Sequence, residues 1–177
     1  IPCPSGSFTV PQLTSFKKYI NSSQVKPLSV DHFYILINLY SCLVDLDKIK
    51  YGKWDIRYMT DFKNMFYGDY VYKNYFKYNR DSYQLFLNND TIKDIENWNT
   101  SNIRSMDSMF NSISFSYDIN FTNWNVDKVT NMTQCFYSFK NFTGQGLDKW
   151  NVINVKYERD EYKNEISGML NMFSTTQ

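Results

Sequence analysis

The 177-residue sequence has few of the side chains from which catalytic sites are usually built. His32 is the one histidine, and nothing in the sequence places a nucleophile beside it, as a Ser–His or Cys–His pair would require. The six glycines are scattered and form no phosphate-binding loop. The carboxylates show no spacing that singles out an acid and a base. We therefore expect no enzymatic activity, no cofactor and no metal site, with His32 in the first turn of a helix.

The sequence also lacks a strong charge bias and long apolar runs. Its formal net charge is +1 and it has no long run of Lys or Arg, which argues against a dedicated nucleic-acid binder. No apolar stretch approaches the roughly 18 residues of a transmembrane helix, so no membrane span is expected. The longest apolar stretch, FYILINLYSCLV at 33–44, contains polar interruptions and predicts a buried helix. The first residue, Ile1, is consistent with processing, for example removal of a signal peptide, or with an incomplete chain.

Cysteine is scarce as well. Cys3, Cys42 and Cys135 are an odd number of cysteines and lack the spacing of metal ligands. Cys42 and Cys135 are predicted to be small buried hydrophobic residues, because each lies in an apolar pattern. Cys3, between Pro2 and Pro4, is the cysteine expected to be able to pair.

The chain is instead rich in a repeated pattern. Each Trp begins a similar segment that a Phe closes, as in WNTSNIRSMDSMF (98–110) and WNVDKVTNMTQCF (124–136). The Phe follows twelve residues after the Trp in the first three copies, and 23 residues after it in the fourth, which carries an eleven-residue insertion. The spine of this repeat is predicted to consist of Trp54, Trp98, Trp124, Trp150, Phe66, Phe110, Phe136 and Phe173. Successive Trp residues stand 44, 26 and 26 apart, and a period of this size predicts a solenoid.

The pattern inside one copy predicts its secondary structure. Apolar residues five, eight and twelve positions after the Trp have the spacing of one face of a short helix or 3₁₀ turn. The segment before the Trp alternates apolar and polar residues, as in SYDINFTNW (116–124), which predicts a short strand. One such unit cannot bury its apolar side alone, whereas stacked units cover one another.

Two stretches carry a resemblance to a known family. FSYDINFTNWNVDKVTNMTQCFYSF, in the third copy, and the opening YGKWDIRYMTDFKNMF (51–66) resemble the repeats of BspA-like surface proteins, which are related to leucine-rich repeats. The resemblance implies an α+β repeat solenoid of leucine-rich-repeat type, with a short strand and a short helix per copy and an N-terminal α-helical cap. It also implies a surface-exposed setting, since relatives are cell-surface or adhesion proteins and similar arrays occur in large DNA viruses.

The predicted organisation has three parts. Residues 1–28 form an extended N-terminal arm with a short helix near 12–20, and residues 29–50 form a helical cap that Ser29 and Asp31 can begin. Residues 51–173 hold the four copies, with insertions near 67–91 and 157–167. The second insertion is charged and is predicted to be a solvated loop.

The first insertion is the predicted partner-binding surface, because insertions in repeat arrays often lie on a binding face. Its candidate residues alternate aromatic and basic side chains: Tyr70, Tyr72, Tyr75, Phe76, Tyr78, Lys73, Lys77 and Arg80. Such residues suit a protein interface or the stacking of bases or sugars. The alternative is that the aromatic rings pack back on the repeats.

The function that we predict from the sequence is a non-enzymatic protein–protein interaction or structural module. It would be extracellular or exposed on a cell or virion surface, or fixed in a large assembly of other proteins. The alternative is an adhesin-like or glycan-binding module that recognises host molecules through the Tyr-rich insertion.

Overall fold

The computed structural model describes residues 8–159 and 165–174 of the chain. Its helices and strands within these ranges are α1 (Val10–Ile20), α2 (Val30–Tyr40), α3 (Gly68–Asn74), α4 (Arg80–Phe86), α5 (Asn89–Ile92), β1 (Tyr157–Arg159) and β2 (Glu165–Ser167). Short 3₁₀ helices occupy Leu46–Lys48, Tyr51–Lys53, Lys93–Asn97 and Leu147–Lys149. Among the described residues, no helix is long and apolar enough to cross a membrane.

The two N-terminal helices begin at side-chain caps. Thr9 and Gln12 form a capping box at the start of α1. The Ser29 side chain accepts a hydrogen bond from the His32 backbone N–H at the start of α2. This helix ends at Tyr40, inside the predicted cap of residues 29–50, and the Ser41 hydroxyl donates to the Asn38 carbonyl there.

The cysteines differ in part from expectation. Cys135 is a free, buried thiol, as predicted. Cys42 is half-buried and disulfide-bonded, so its prediction as a free core residue is wrong. Cys3 lies outside the described residues.

Each repeat copy is a succession of tight turns. Positions are counted below from the Trp of each copy, so that +1 is the residue after it. In the third copy, hydrogen-bonded turns end at Trp124, at +5 and at +11, where the backbone N–H of Trp124, Val129 and Cys135 donates to the carbonyl three residues earlier. Bonds at the same three positions occur in the other three copies. The repeat is therefore defined by turns rather than by regular secondary structure.

Short polar side chains direct these turns. At +1, a side-chain oxygen accepts a hydrogen bond from the backbone N–H two residues later in all four copies, through Asp55, Asn99, Asn125 and Asn151. The same arrangement recurs at +7 in three copies, through Asp61, Ser105 and Asn131. Asn, Asp and Ser favour such turns because their side chains compete for the backbone hydrogen bonds of a helix or strand.

The predicted α+β solenoid, with a strand before each Trp and a helix after it, is wrong. Within the described residues, strands occur only in the second insertion, and 3₁₀ helices precede Trp54, Trp98 and Trp150. After the Trp, the residue at +10 has a positive φ in every copy, at Asn64, Ser108, Gln134 and Asn171. A right-handed helix cannot continue through a left-handed residue. The offsets of five, eight and twelve therefore come from consecutive turns that aim their apolar side chains at one core.

Backbone hydrogen bonds join each copy to the next one in a regular order. The N–H groups at +8, +10 and +12 of one copy donate to carbonyls at +7, +9 and +11 of the following copy. For position +12 the donors Phe66, Phe110 and Phe136 lie 2.8, 2.9 and 2.9 Å from their acceptors. Isolated parallel bridges link Asp61 to Ser105 and Ser105 to Asn131. The four copies thus form a stack with a direction: the donors at these three positions point to the C-terminal side, while the N–H at +6 donates back to the +6 carbonyl of the preceding copy. We call it the repeat stack.

Two ladders of aromatic rings run through the repeat stack. The ring centroids of Phe66 and Phe110, Phe110 and Phe136, and Phe136 and Phe173 are 5.6, 5.8 and 5.6 Å apart, with interplanar angles of 8° or less. In the parallel Trp ladder, Trp98 and Trp150 each lie 6.4 Å from Trp124. Trp54, Trp98 and Trp124 are buried, Trp150 is half-buried and Phe173 is exposed, so the two ladders lose cover at the fourth copy.

The insertions form small elements of their own. Helices α3, α4 and most of α5 lie in the first insertion, and Phe76 and Phe86 are buried there. In the second, β1 pairs antiparallel with β2, with Tyr157 opposite Ser167. The stretch predicted to be a solvated loop is therefore partly a hairpin, and its residues 160–164 lie outside the described part of the chain.

Candidate functional site

The Tyr-rich insertion turns part of its aromatic surface inwards. The Tyr75 ring stacks on Tyr34 of α2 with a centroid distance of 3.9 Å, and its hydroxyl donates to Asp31 over 2.6 Å. Phe76 is 6% exposed. Burial, followed by the hydrogen bond to Asp31, raises the pKa of Tyr75, so its phenol stays protonated and keeps this bond. Tyr75 and Phe76, two of the predicted partner-binding residues, therefore pack against the interior of the protein.

The remaining residues of the insertion form its outer side. The Tyr72 hydroxyl donates to the Tyr78 carbonyl over 2.9 Å, and the two rings meet edge to face. Tyr70 and Tyr72 are half-buried, while Tyr78 is 65% exposed. The three basic residues, Lys73, Lys77 and Arg80, are exposed. The outer side therefore offers one open ring among cations instead of a continuous aromatic platform.

The N-terminal end of the repeat stack is covered by α2, and we call it the closed end. Phe33 is fully buried and its ring contacts six others: Tyr34, Tyr51, Trp54, Phe66, Phe86 and Trp98. The hydroxyl of Tyr34, whose pKa is raised by burial, donates to the Met65 carbonyl over 2.5 Å. The corresponding carbonyls of later copies accept an N–H from the preceding copy. Tyr34 therefore takes the place of a preceding repeat.

The closed end also provides the acceptor for the first Trp. The indole N–H groups of Trp124 and Trp150 donate to carbonyls of the preceding copy, those of Ile95 and Phe121. For Trp54, which has no preceding copy, the acceptor is the carbonyl of Ile20 at the end of α1, at 2.6 Å. The helical segment thus reproduces the hydrogen bonds of a repeat without its sequence.

The C-terminal end of the stack has no such cover among the described residues, and we call it the open end. It consists of Leu170, Asn171 and Phe173. The two apolar side chains, those of Leu170 and Phe173, are 45% and 50% exposed. One face of the Phe173 ring stacks on Phe136 while the rest of the side chain is left accessible. An apolar surface of this kind is typical of a site that meets another macromolecule.

The open end also carries unused hydrogen-bond donors. The backbone N–H groups of Asn171 and Phe173 are at +10 and +12, the positions that donate to the next copy in the rest of the stack. Within the part of the chain that the structure describes, neither has an acceptor. Backbone donors of this kind are the binding groups of an exposed strand edge. The open end therefore combines an apolar surface with oriented donors.

A polar cleft of about 900 Å³ lies beside the first two copies. It is lined by residues 22–24, Lys26, 52–57, Asp94 and 97–99. Next to it, Gly52 packs so tightly that a β-carbon would come 2.5 Å from that of Asp94. The buried indole N–H of Trp98 has no hydrogen-bond partner in the described structure. This is the one break in the Trp hydrogen-bonding pattern of the four copies within the described structure.

A second groove, of about 590 Å³, is apolar and lies between α1 and α2. Phe16, Tyr19 and Leu39 line it and are 36%, 42% and 47% exposed. No group of three or more metal-ligating side chains occurs in the residues that the structure describes.

The sequence predicted a helical cap over the first copy, but it did not point to the open end or to the contact between Tyr34 and Met65. Tyr34 and Met65 are 31 residues apart and share no motif. The irregular fourth copy, with its eleven inserted residues, was the available signal for the open end.

Comparison with known proteins gives one match. A family model described as "Mycoplasma protein of unknown function, DUF285" matches residues 80–177. This is more than half of the chain and includes the second, third and fourth copies together with the open end. No curated protein and no solved structure matches the chain.

Proposed function

The chain belongs to the DUF285 family, and we propose that it is a non-enzymatic module for protein–protein interaction or for assembly. The partner would bind at the open end of the repeat stack. The resemblance to BspA-like repeats remains part of this proposal, and it would place the module on a cell or virion surface or within a large assembly.

The observation that carries the proposal is the difference in exposure between the first and last rings of the Phe ladder. Phe66, at the closed end, is fully buried, whereas Phe173, at the open end, is 50% exposed. Burial of a large apolar side chain contributes about 1.5–3 kcal/mol. A partner that covered Phe173 and Leu170 would gain part of this free energy, as the copies gain it from one another.

The reactive side chains support a non-enzymatic role. The Nδ1 atom of His32 accepts a hydrogen bond from the Leu28 backbone N–H at 3.2 Å, which is a local structural contact. Burial raises the pKa of the Cys135 thiol, which disfavours the nucleophilic thiolate. Cys42 is engaged in a disulfide.

The alternative site is the outer side of the Tyr-rich insertion. Tyr78, Lys77 and Arg80 are exposed there and would have to carry recognition of a protein or a glycan. Tyr75 and Phe76 contribute little to this surface, since they face α2 and the core. We therefore rank this surface second.

Site-specific photo-crosslinking distinguishes the two surfaces. A photoreactive amino acid is placed at Leu170, at Tyr78 or at Ile35, three exposed positions, and the chain is irradiated in the cells that make it. We expect one discrete protein adduct from position 170, identified by mass spectrometry and then reproduced with the purified partner.

Ile35 is the control, because it is exposed on α2 and lies on neither surface. An adduct from position 78 alone would move the site to the insertion. No discrete adduct from either position would contradict the proposed function.

A further inference from the structure

The direction of the repeat stack restricts what can bind at its open end. Each copy donates through +8, +10 and +12 to carbonyls of the next copy. Gln134 and Phe136 bond in this way to the carbonyls of Leu170 and Met172, at 2.8 and 2.9 Å. The carbonyls of Leu170 and Met172 in the fourth copy are therefore bonded to the third copy. The N–H groups of Asn171 and Phe173, which face away from the third copy, have no acceptor in the described structure. The carbonyl of Lys156 at +6, the position that accepts from the following copy elsewhere in the stack, is bonded to the N–H of Gly168. The open end is therefore a donor edge at +10 and +12.

Two open ends are poor partners for each other. If two copies of the chain met tail to tail, the donors of Asn171 and Phe173 would face the same donors of the second chain. Buried donors without acceptors each cost about 1–3 kcal/mol. Such a dimer would have to leave these groups unpaired or shift the two edges out of contact.

A head-to-tail assembly is blocked at the other end. The carbonyls that would accept the incoming donors belong to the first copy. For Asn171 and Phe173 these would be the carbonyls at +9 and +11, those of Lys63 and Met65, and the Met65 carbonyl is already bonded to the Tyr34 hydroxyl. Helix α2 also covers the rings of that copy through Phe33. A second copy of the chain therefore cannot offer Phe173 both a free acceptor at +11 and an uncovered ring to stack on.

We infer that the open end binds an extended segment of a different polypeptide, through alternate backbone carbonyls and an aromatic side chain that stacks on Phe173. This inference rests on the proposed function and names its partner class. The internal interface supplies the template, since it occurs three times in the chain with ring separations of 5.6–5.8 Å. The segment would accept bonds from Asn171 and Phe173 as the third copy accepts them from Ser108 and Phe110.

The third copy also provides a probe of defined sequence. A synthetic peptide with the sequence of residues 124–138 carries the carbonyls of Thr133 and Cys135 and the ring of Phe136. Cys135 is replaced by Met, the residue at this position in the other copies, to prevent oxidation. A labelled peptide is titrated with the full chain, and amide hydrogen exchange of the chain is measured at saturation.

We expect saturable binding, with slower exchange at the amides of Asn171 and Phe173. The Phe173→Ala chain should bind at least about tenfold more weakly, as for loss of a central aromatic contact. A peptide with Phe136→Ala should lose a similar factor. The Ile35→Ala chain is the matched control, since Ile35 is an exposed apolar residue away from the open end, and its binding should be unchanged.

Three results would overturn the inference. The first is no binding of the peptide, and the second is binding that leaves exchange at Asn171 and Phe173 unchanged. The third is a concentration-dependent dimer in sedimentation analysis that Phe173→Ala abolishes, because the occupant would then be a second copy. The crosslinking experiment is independent of these outcomes, so a partner found at Leu170 would preserve the proposed function even if this inference failed.

Discussion

The two ends of the repeat stack are built from equivalent positions and differ in what covers them. At the closed end, Phe66 is fully buried beneath Phe33 of α2, and the Met65 carbonyl receives the Tyr34 hydroxyl. At the open end, Phe173 is 50% exposed and its backbone N–H has no acceptor among the described residues. Within the described residues, the same repeat is thus covered at one end and uncovered at the other.

This difference shows what a repeat requires from its neighbour. The closed end is covered by helices whose sequence does not resemble a repeat. They supply an aromatic ring, a hydroxyl donor and the Ile20 carbonyl that accepts the Trp54 indole N–H. A cover therefore needs the right rings and hydrogen-bonding groups, and any chain that supplies them could complete the open end. Terminal caps in stacked repeats serve this purpose generally.

The largest predicted effect is a loss of stability when the ring that covers the closed end is removed, compared with removal of the exposed ring at the open end. Phe33→Ala removes a fully buried ring with six ring contacts and should lower the free energy of unfolding by about 3–5 kcal/mol. Phe173→Ala, at the open end, should lower it by about 1 kcal/mol, because half of that side chain is already in water. Chemical denaturation followed by Trp fluorescence measures both. Equal losses would mean that the two ends are equally covered.

A smaller effect is expected when one hydrogen bond of the closed end is removed. Tyr34→Phe keeps the ring that stacks on Tyr75 and leaves the Met65 carbonyl without its donor. An unsatisfied buried carbonyl should cost about 1–3 kcal/mol. Tyr78→Phe is the control, since that side chain is exposed, and it should change the free energy of unfolding little. A loss from Tyr34→Phe as small as that of the control would contradict the role given to the hydroxyl.

The smallest effect separates two Trp residues inside the stack. Trp124→Phe loses the hydrogen bond to the Ile95 carbonyl, whereas Trp98→Phe removes an indole N–H that has no partner in the described structure. Both changes lose the same ring volume, so the hydrogen-bonding difference should remain when the two are compared. We expect Trp98→Phe to be the milder change by about 1–3 kcal/mol. A Trp98→Phe variant as destabilised as Trp124→Phe would show that Trp98 has an acceptor.

The sequence predicted the repeat register better than its conformation. The Trp and Phe spacings identified positions that the structure arranges in two ladders, because ring stacking requires one aromatic residue per copy. The spacing of three and four residues did not distinguish a helix from consecutive turns. The backbone forms turns because an Asp or Asn at +1 bonds to the backbone and the residue at +10 is left-handed. The left-handed residue is Asn, Ser or Gln, so the sequence had no glycine at +10 to indicate a turn.

The candidate site was less predictable for a physical reason. The Tyr-rich insertion has the composition of an interface, yet Tyr75 and Phe76 are drawn inwards by α2 and the core. Their sequence neighbourhood does not contain Tyr34 and Asp31, which lie about forty residues earlier. The open end is a property of the last copy's position in the stack, and its residues otherwise follow the pattern of the buried copies.

The most direct test of the difference between the two ends is amide hydrogen exchange at +12 in the isolated chain. The N–H groups of Phe66, Phe110 and Phe136 are each bonded to the next copy, and that of Phe173 has no acceptor in the described structure. We predict slow exchange at the first three and fast exchange at Phe173, because exchange requires the hydrogen bond to open. Slow exchange at Phe173, equal to that at Phe136, would contradict an open donor edge.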